Sequence, residues 1–264
     1  MYHKIIKEKG SADMILSQYE PHFSSEHLAR KIHYLKNELT SLPCGTILLR
    51  DGREYVRITS HQTGKTVRYE KSVNSPEGTR LAELISRRRI IKAELTRSLA
   101  LFQKYYPGMS PDIPPAICRS LHIPEQMTLA YYDNPPKKIN PYPNHGYILG
   151  DMAFKSRFEM IAAQAITGLG LEFKYELPIL TANNVYLFMD MVIPIPERGR
   201  CIGFEFCGMM EDHKYMHDIQ ARMISYADIG LVPYHDVFYV FGGEKWLPTT
   251  RELQNTVIFA VENC

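Results

Sequence analysis

Apolar residues recur along this chain at two different periods, and each change of period marks an element. Leu28, Ile32, Leu35 and Leu39 stand three or four apart, which predicts a helix over 25–41. Thr46–Arg50 and Arg53–Ile58 alternate in strand fashion around Asp51-Gly52, a pair suited to left-handed turn dihedrals, so a hairpin is expected. A third strand, Thr66–Lys71, follows a turn at Thr63-Gly64-Lys65. A long helix from Glu77 to Tyr105 then carries Leu81, Leu84, Ile85, Ile91, Leu95, Leu99 and Phe102 on one side.

The pattern resumes after Phe154. Phe158, Ile161, Ala162, Ala165, Ile166 and Leu169 form one helical stripe that stops at Gly168 and Gly170. Leu171–Leu177 alternates, with Leu171, Phe173, Tyr175 and Leu177 expected on one side. Val185–Ile193 and Cys201–Cys207 read as two more strands, joined by a turn over Pro194–Arg200. A helix over Lys214–Asp228 and a strand over Tyr234–Phe241 complete the order: helix, three strands, helix, strand. Between the two patterned regions lie nine of the 17 prolines, from Pro107 to Pro143. Proline removes an amide donor and restricts its predecessor, so only a short helical stretch around Ile117–Leu121 is expected there. The division that follows is a basic α+β module of helix, hairpin and helix at 1–106, a connecting segment at 107–150, and an α/β domain at 151–264. Tyr131, Tyr132, Tyr142 and Tyr147 give the connecting segment something to pack.

Charge sharpens this division. The 264 residues carry a net charge of +2, yet residues 1–110 hold 19 Lys and Arg against 11 Asp and Glu. The remainder is acidic. Arg87, Arg88, Arg89 and Lys92, with Arg97, form a basic helical face that can grip a nucleic-acid backbone or another protein, or simply sit in water. No apolar run is long enough for a membrane span, and the first residues lack a secretory pattern. The five scattered cysteines include no Cys-x-x-Cys pair. A reducing cytoplasm is the expected setting.

Two acids interrupt the apolar strands: Asp190 in Leu187–Ile193 and Glu205 in Ile202–Cys207. Neither position solvates a charge comfortably. If the turn centres between Glu197 and Arg198, paired residue numbers add to 395, which sets Asp190 opposite Glu205. Facing carboxylates repel and share a proton unless a cation takes both. Mg²⁺ or Mn²⁺ needs few protein carboxylates, so the pair suits metal-assisted phosphodiester hydrolysis. Alternatively, either acid meets Lys174 or an arginine as a structural ion pair. Glu159 offers a third carboxylate, although Ser156-Arg-Phe-Glu159 also fits a capping box, and on the residues alone the cap is preferred.

The order of these elements and acids resembles the PD-(D/E)XK nuclease superfamily, with its restriction-endonuclease-like αβββαβ core. More closely, Phe154–Glu159, Phe173-Lys-Tyr-Glu176 and Glu205-Phe-Cys-Gly-Met-Met210 resemble segments of a group of clostridial-type bacterial proteins. The resemblance spans about 150–241. It implies a nuclease in which Asp190 and Glu205 ligate Mg²⁺ or Mn²⁺, Glu159 supports the site, and nucleic acid is the partner. Three departures matter, one of them Met189 in place of the proline before Asp190. Cys207 stands where the superfamily has its lysine, and Phe206 stands where the closer group has histidine. A basic group would have to come from elsewhere, with Lys174 and Arg222 as candidates. The alternative is a nuclease fold without turnover that binds nucleic acid or blocks a protein.

The other constellations are weaker. His213 and His217 stand one helical turn apart but lack the glutamate of a zinc protease, so a solvated helix start is expected. His235 and Asp236 are expected at the surface. Cys207 beside two acids should have a raised thiol pKa, which argues against a nucleophile. Neither a phosphate-binding Gly-rich loop ending in Gly-Lys-Ser/Thr nor a Gly-x-Ser-x-Gly elbow is present.

Overall fold

The computed structural model describes residues 22–62, 65–112, 122–141, 146–243 and 245–264. It is a mixed α/β protein whose contacts separate two compact units, Ser24–Cys118 and Arg119–Cys264. Among the described residues no helix is long and apolar enough to cross a membrane.

The first unit is a three-stranded antiparallel sheet flanked in sequence by two helices, α1 (Ser25–Ser41) and α2 (Pro76–Tyr105). Ser24 caps α1 by accepting from the His27 amide at 3.2 Å. Leu35 and Leu42 meet Ile91 of α2, as the three-to-four spacing requires. Strands β1 (Gly45–Arg50) and β2 (Arg53–Gln62) turn at Asp51 and Gly52, both at positive φ (52° and 71°). That is the two-residue turn expected of Asp-Gly. β3 (Lys65–Ser72) pairs with β2, and Val56 and Ile58 bury against Ile85 of α2.

The second unit begins in what the prolines mark as a connection. A 3₁₀ turn (Glu125–Met127) and the short helix α3 (Leu129–Asp133) place Met127 and Tyr132 in the second unit's core. Apolar side chains of the segment expected to connect the two regions thus belong to the second unit's core. The short helix expected at 117–121 lies outside the described residues, as does Tyr142. A small hairpin follows, β4 (Tyr147–Leu149) and β5 (Met152–Phe154), and then α4 (Arg157–Gly168).

The main sheet has the order β6 (Lys174–Leu180), β7 (Tyr186–Ile195), β8 (Arg200–Cys207) and β9 (Val237–Phe241). Its first two pairings are antiparallel and the last is parallel, with α5 (His213–Ala227) as the crossover between β8 and β9. Helix α6 (Thr250–Asn263) ends the chain. Alternation along β8 sorts the two faces. Phe204 stacks on Phe238 and Phe206 meets Phe158 edge-on, whereas Cys207 and Cys201 join Tyr226 and Ile219 of α5. Gly203 is required by close approach, since a Cβ there would lie 1.9 Å from Met189 Sδ.

One expectation fails on β6. The strand starts three residues later than the alternation suggests, and Tyr175 and Leu177 do not share a side. Tyr175 turns to Phe154 and Glu159, while Leu177 packs with Met189, Cys207 and Tyr226. Glu176 between them has φ 54°, a left-handed dihedral that breaks the two-residue period while the register with β7 continues on both sides.

Candidate acidic site

The β7–β8 ladder runs from Ile195–Arg200 to Met191–Phe204 in the expected register, and the pairing stops one step before Asp190 and Glu205. There the strands part. Asp190 Oδ2 accepts from the Phe206 amide at 2.8 Å, so a carboxylate stands in for a ladder carbonyl. A charged group tolerates a sheet interior only with such a donor. Among the described residues Asp190 makes no ion pair.

Glu205 points to α5. Tyr226 donates to Oε1 at 2.6 Å, and Arg222 donates to Oε2 at 2.9 Å and to the Phe188 carbonyl at 3.1 Å. Arg222 and Tyr226 stand one helical turn apart, so a single face of α5 closes over the acid. Glu205 is only 2% exposed. Glu159 enters from the first turn of α4. Ser156 caps the helix by accepting from the Glu159 amide at 3.1 Å and donates its hydroxyl to Glu159 Oε1 at 2.9 Å. The other oxygen accepts from Tyr175 at 2.5 Å and from the Lys155 amide at 3.2 Å. The cap and the site are therefore compatible roles for one side chain.

Besides burial, Glu159 raises both of the other carboxyls. Burial pushes the Asp190 carboxyl well above its ordinary range, and Glu205 and Glu159 add to the rise; Arg222 and the Phe206 amide oppose it. Glu205 is also raised by burial, against the pull of Arg222 and Tyr226. Burial likewise raises the Tyr175 and Tyr226 phenols, so both remain neutral donors. The Arg222 guanidinium, raised chiefly by Glu205, is the fixed positive charge of the cluster. It pairs with Glu205 and opposes the rise of Asp190.

The remaining candidates fall out by position. Burial, with Glu205 and Asp190, raises the Cys207 thiol to about 12, the direction that disfavours a nucleophile. Phe206 turns to the opposite face and its ring meets Phe158. Lys174 stays away from the acids: its ammonium donates to the Tyr132 carbonyl and lies 4.4 Å from that ring's centroid. His213 and His217 are exposed at the start of α5, where Asp212 caps the helix. Asp236 is not a surface residue. It is 1% exposed, pairs with buried Arg200 and accepts from the Val232 amide at 2.8 Å, while His235 is half-buried beside it. In the first unit, Arg88 donates to the Leu39 and Leu42 carbonyls and so closes the end of α1. Arg87 pairs with Glu38 at 2.6 Å, whereas Arg89 and Lys92 face solvent.

Sequence reasoning did not single out Tyr175 and Tyr226, since a tyrosine at a core position reads as packing. The signal was present for α5, where Arg222 and Tyr226 share a helical spacing with a buried strand acid opposite. Among the described residues no three His, Cys, Asp or Glu side chains gather tightly enough to enclose a metal ion. An ion here would have at most two protein carboxylates and would keep positions for water, which suits Mg²⁺. Two shallow clefts, each about 490 Å³, share Phe173 and Lys174, and none of the three acids lines them. Comparison with protein families, with curated proteins and with solved structures finds no match to this chain.

Proposed function

We propose that the acidic cluster is the site of a metal-dependent, restriction-endonuclease-like nuclease acting on phosphodiester bonds in DNA or RNA. The observation that carries this is the surplus of buried negative charge where β7 and β8 part: burial raises both Asp190 and Glu205, Glu205 raises Asp190 further, and Glu159 adds to both, while Arg222 pairs with Glu205. A buried carboxylate without a cation is costly, so the cluster favours a further positive charge. Asp190 and Glu205 are the side chains that would hold Mg²⁺ or Mn²⁺. Such an ion lowers the pKa of a bound water and screens a phosphate.

The chain's own groups divide the remaining work. Tyr226 and Arg222 fix the Glu205 carboxylate in one orientation. Tyr175 and Ser156 hold Glu159 behind Asp190 as a negative neighbour. Arg222, partly exposed, takes the place of the lysine absent at Cys207 and offers positive charge to a phosphate oxygen. Calorimetric titration with Mn²⁺ and cleavage of single- and double-stranded substrates test this reading. The wild-type chain should bind and cleave, Asp190→Asn should lose the heat of binding, and Asp190→Ala should lose cleavage. Equal cleavage by wild type and Asp190→Ala would reject the site.

A second reading has its own observation. Arg222 and Tyr226 already occupy both oxygens of Glu205, which is how a nuclease fold without turnover would neutralise an unused acid. That protein would hold nucleic acid or a protein partner without cutting. It predicts no Mn²⁺ heat and no cleavage from the wild-type chain.

A further inference from the structure

The sheet of the first unit has a second face that its core does not use. Val56 and Ile58 turn inward to Ile85, so the residues between and beside them, Tyr55 and Arg57, turn outward and are half-exposed. Register places their neighbours. Arg53 faces Arg50, Tyr55 lies between Leu48 and Ser72, and Arg57 lies between Thr46 and Glu70. The outward face is therefore three rows: a pair of arginines, an aromatic ring beside a leucine, and a third arginine. Alternate rows along a strand are about 6.8 Å apart.

Charge on this face is positive after internal pairing. Glu70 is its one acid among these rows, held by Arg57 at 2.7 Å and by Arg50 at 3.6 Å. These contacts keep two guanidiniums spread along the surface and leave Arg53 exposed with no ion pair among the described residues.

We propose that this face, Tyr55 with Arg50, Arg53 and Arg57, binds single-stranded nucleic acid. One base stacks on the Tyr55 ring, and the phosphates on either side lie on the arginine rows. A ring between two positive rows fits an occupant that alternates a flat apolar face with negative charge, which describes a nucleotide chain. In a duplex the base faces are already stacked, and an acidic peptide has no flat ring to place on Tyr55. The surface is separate from the basic face of α2 and needs no chemistry from the acidic cluster.

Binding is measured by fluorescence anisotropy with labelled oligo-dT and oligo-rU of twelve nucleotides, on the full chain in EDTA so that metal-dependent cleavage cannot contribute. Tyr55→Ala should weaken binding about tenfold, with about five- to 150-fold corresponding to one lost base stack. Tyr55→Phe should bind as wild type does. Arg53→Ala with Arg57→Ala should lower the slope of log affinity against log salt by about 1.4. Circular dichroism melting of each variant separates lost contacts from lost folding. The proposal is overturned by absence of oligonucleotide binding, by a folded Tyr55→Ala chain that binds like wild type, or by a Phe variant as weak as the Ala variant. Displacement of the labelled strand by duplex DNA or polyglutamate as readily as by unlabelled single strand would also overturn it. Cleavage with Mn²⁺ is scored separately, so loss of this surface and loss of the nuclease reading are distinguishable.

Discussion

Arg222 is the residue on which the two functional readings divide. It is the nearest positive charge to Glu205, so it competes with any cation for the same oxygen while offering charge to a substrate phosphate. Replacing it separates these roles. Arg222→Met leaves Glu205 buried without its ion pair, a loss of about 3–5 kcal/mol for pairs of this kind. The variant should therefore melt well below wild type, and Mn²⁺ should raise its melting temperature by more than it raises that of wild type. In a cleavage assay with saturating Mn²⁺, the same variant should turn over at least tenfold more slowly, because the charge facing the phosphate is gone. A variant that Mn²⁺ does not stabilise would favour the inert site. Asp190 and Glu205 were legible in the sequence because an acid inside an apolar strand is conspicuous and the turn fixes the register. Arg222 was legible only as one of two candidate cations, the other being Lys174. The choice between Arg222 and Lys174 depended on α3, whose last carbonyls take the lysine.

At the scale of elements, local signals carried far where the determining residues are neighbours in the chain. The periodicity of 25–41 and the Asp51-Gly52 turn produced the helix and hairpin as read, and the β7–β8 register followed from its turn. The misreadings needed distant information. The positive φ at Glu176 is invisible to alternation, and Asp236 looked solvated because its partner, Arg200, lies on β8. Helix α6 shows a purely local device with a measurable consequence. Thr249 accepts from the Glu252 amide at 3.3 Å, and the Glu252 carboxylate accepts from the Thr249 amide at 2.7 Å and its hydroxyl at 2.8 Å, completing a capping box. These donors hold the Glu252 carboxyl below its ordinary value, the Thr249 amide contributing most. A lowered folded-state value means that the stabilisation is present above the unfolded value, near about 4.3, and is lost as pH falls through the folded one. Thr249→Ala should cost about 1 kcal/mol at neutral pH. The difference from wild type should shrink as pH falls below about 4, as followed by urea unfolding at a series of pH values. A difference that grew with acidity would mean that the carboxylate does not take part in the cap.

At the scale of the molecule, charge and contacts divide the chain in similar places. The basic surplus read over 1–110 belongs mainly to the unit Ser24–Cys118, and the acidic remainder belongs to the unit that holds the carboxylate cluster. The two signals differ in kind, since net charge follows surface whereas proline marks only backbone that cannot be regular. The two units differ in the means of their stability. Among the described residues, the second has a broad cluster running from Met127 and Tyr132 through β6–β9 to Tyr226, and further buried side chains, among them Phe158, Phe204 and Val257, besides it. In the first, small clusters do the work, one around Val56, Ile58 and Ile85 and another around Leu35, Leu42 and Ile91. A cavity in a small cluster has few neighbours to relax into it. Ile85 is 1% exposed and joins α2 to β2, so Ile85→Ala should cost about 2–5 kcal/mol. Because contacts within each unit define it, that loss should fall on the first unit alone. Hydrogen exchange read by mass spectrometry should then show faster exchange throughout α1, β1–β3 and α2, while the amides of β7 and β8 keep wild-type protection. Equal loss of protection in β7 and β8 would show that the chain opens as one cooperative body, and charge would then divide a surface rather than a fold.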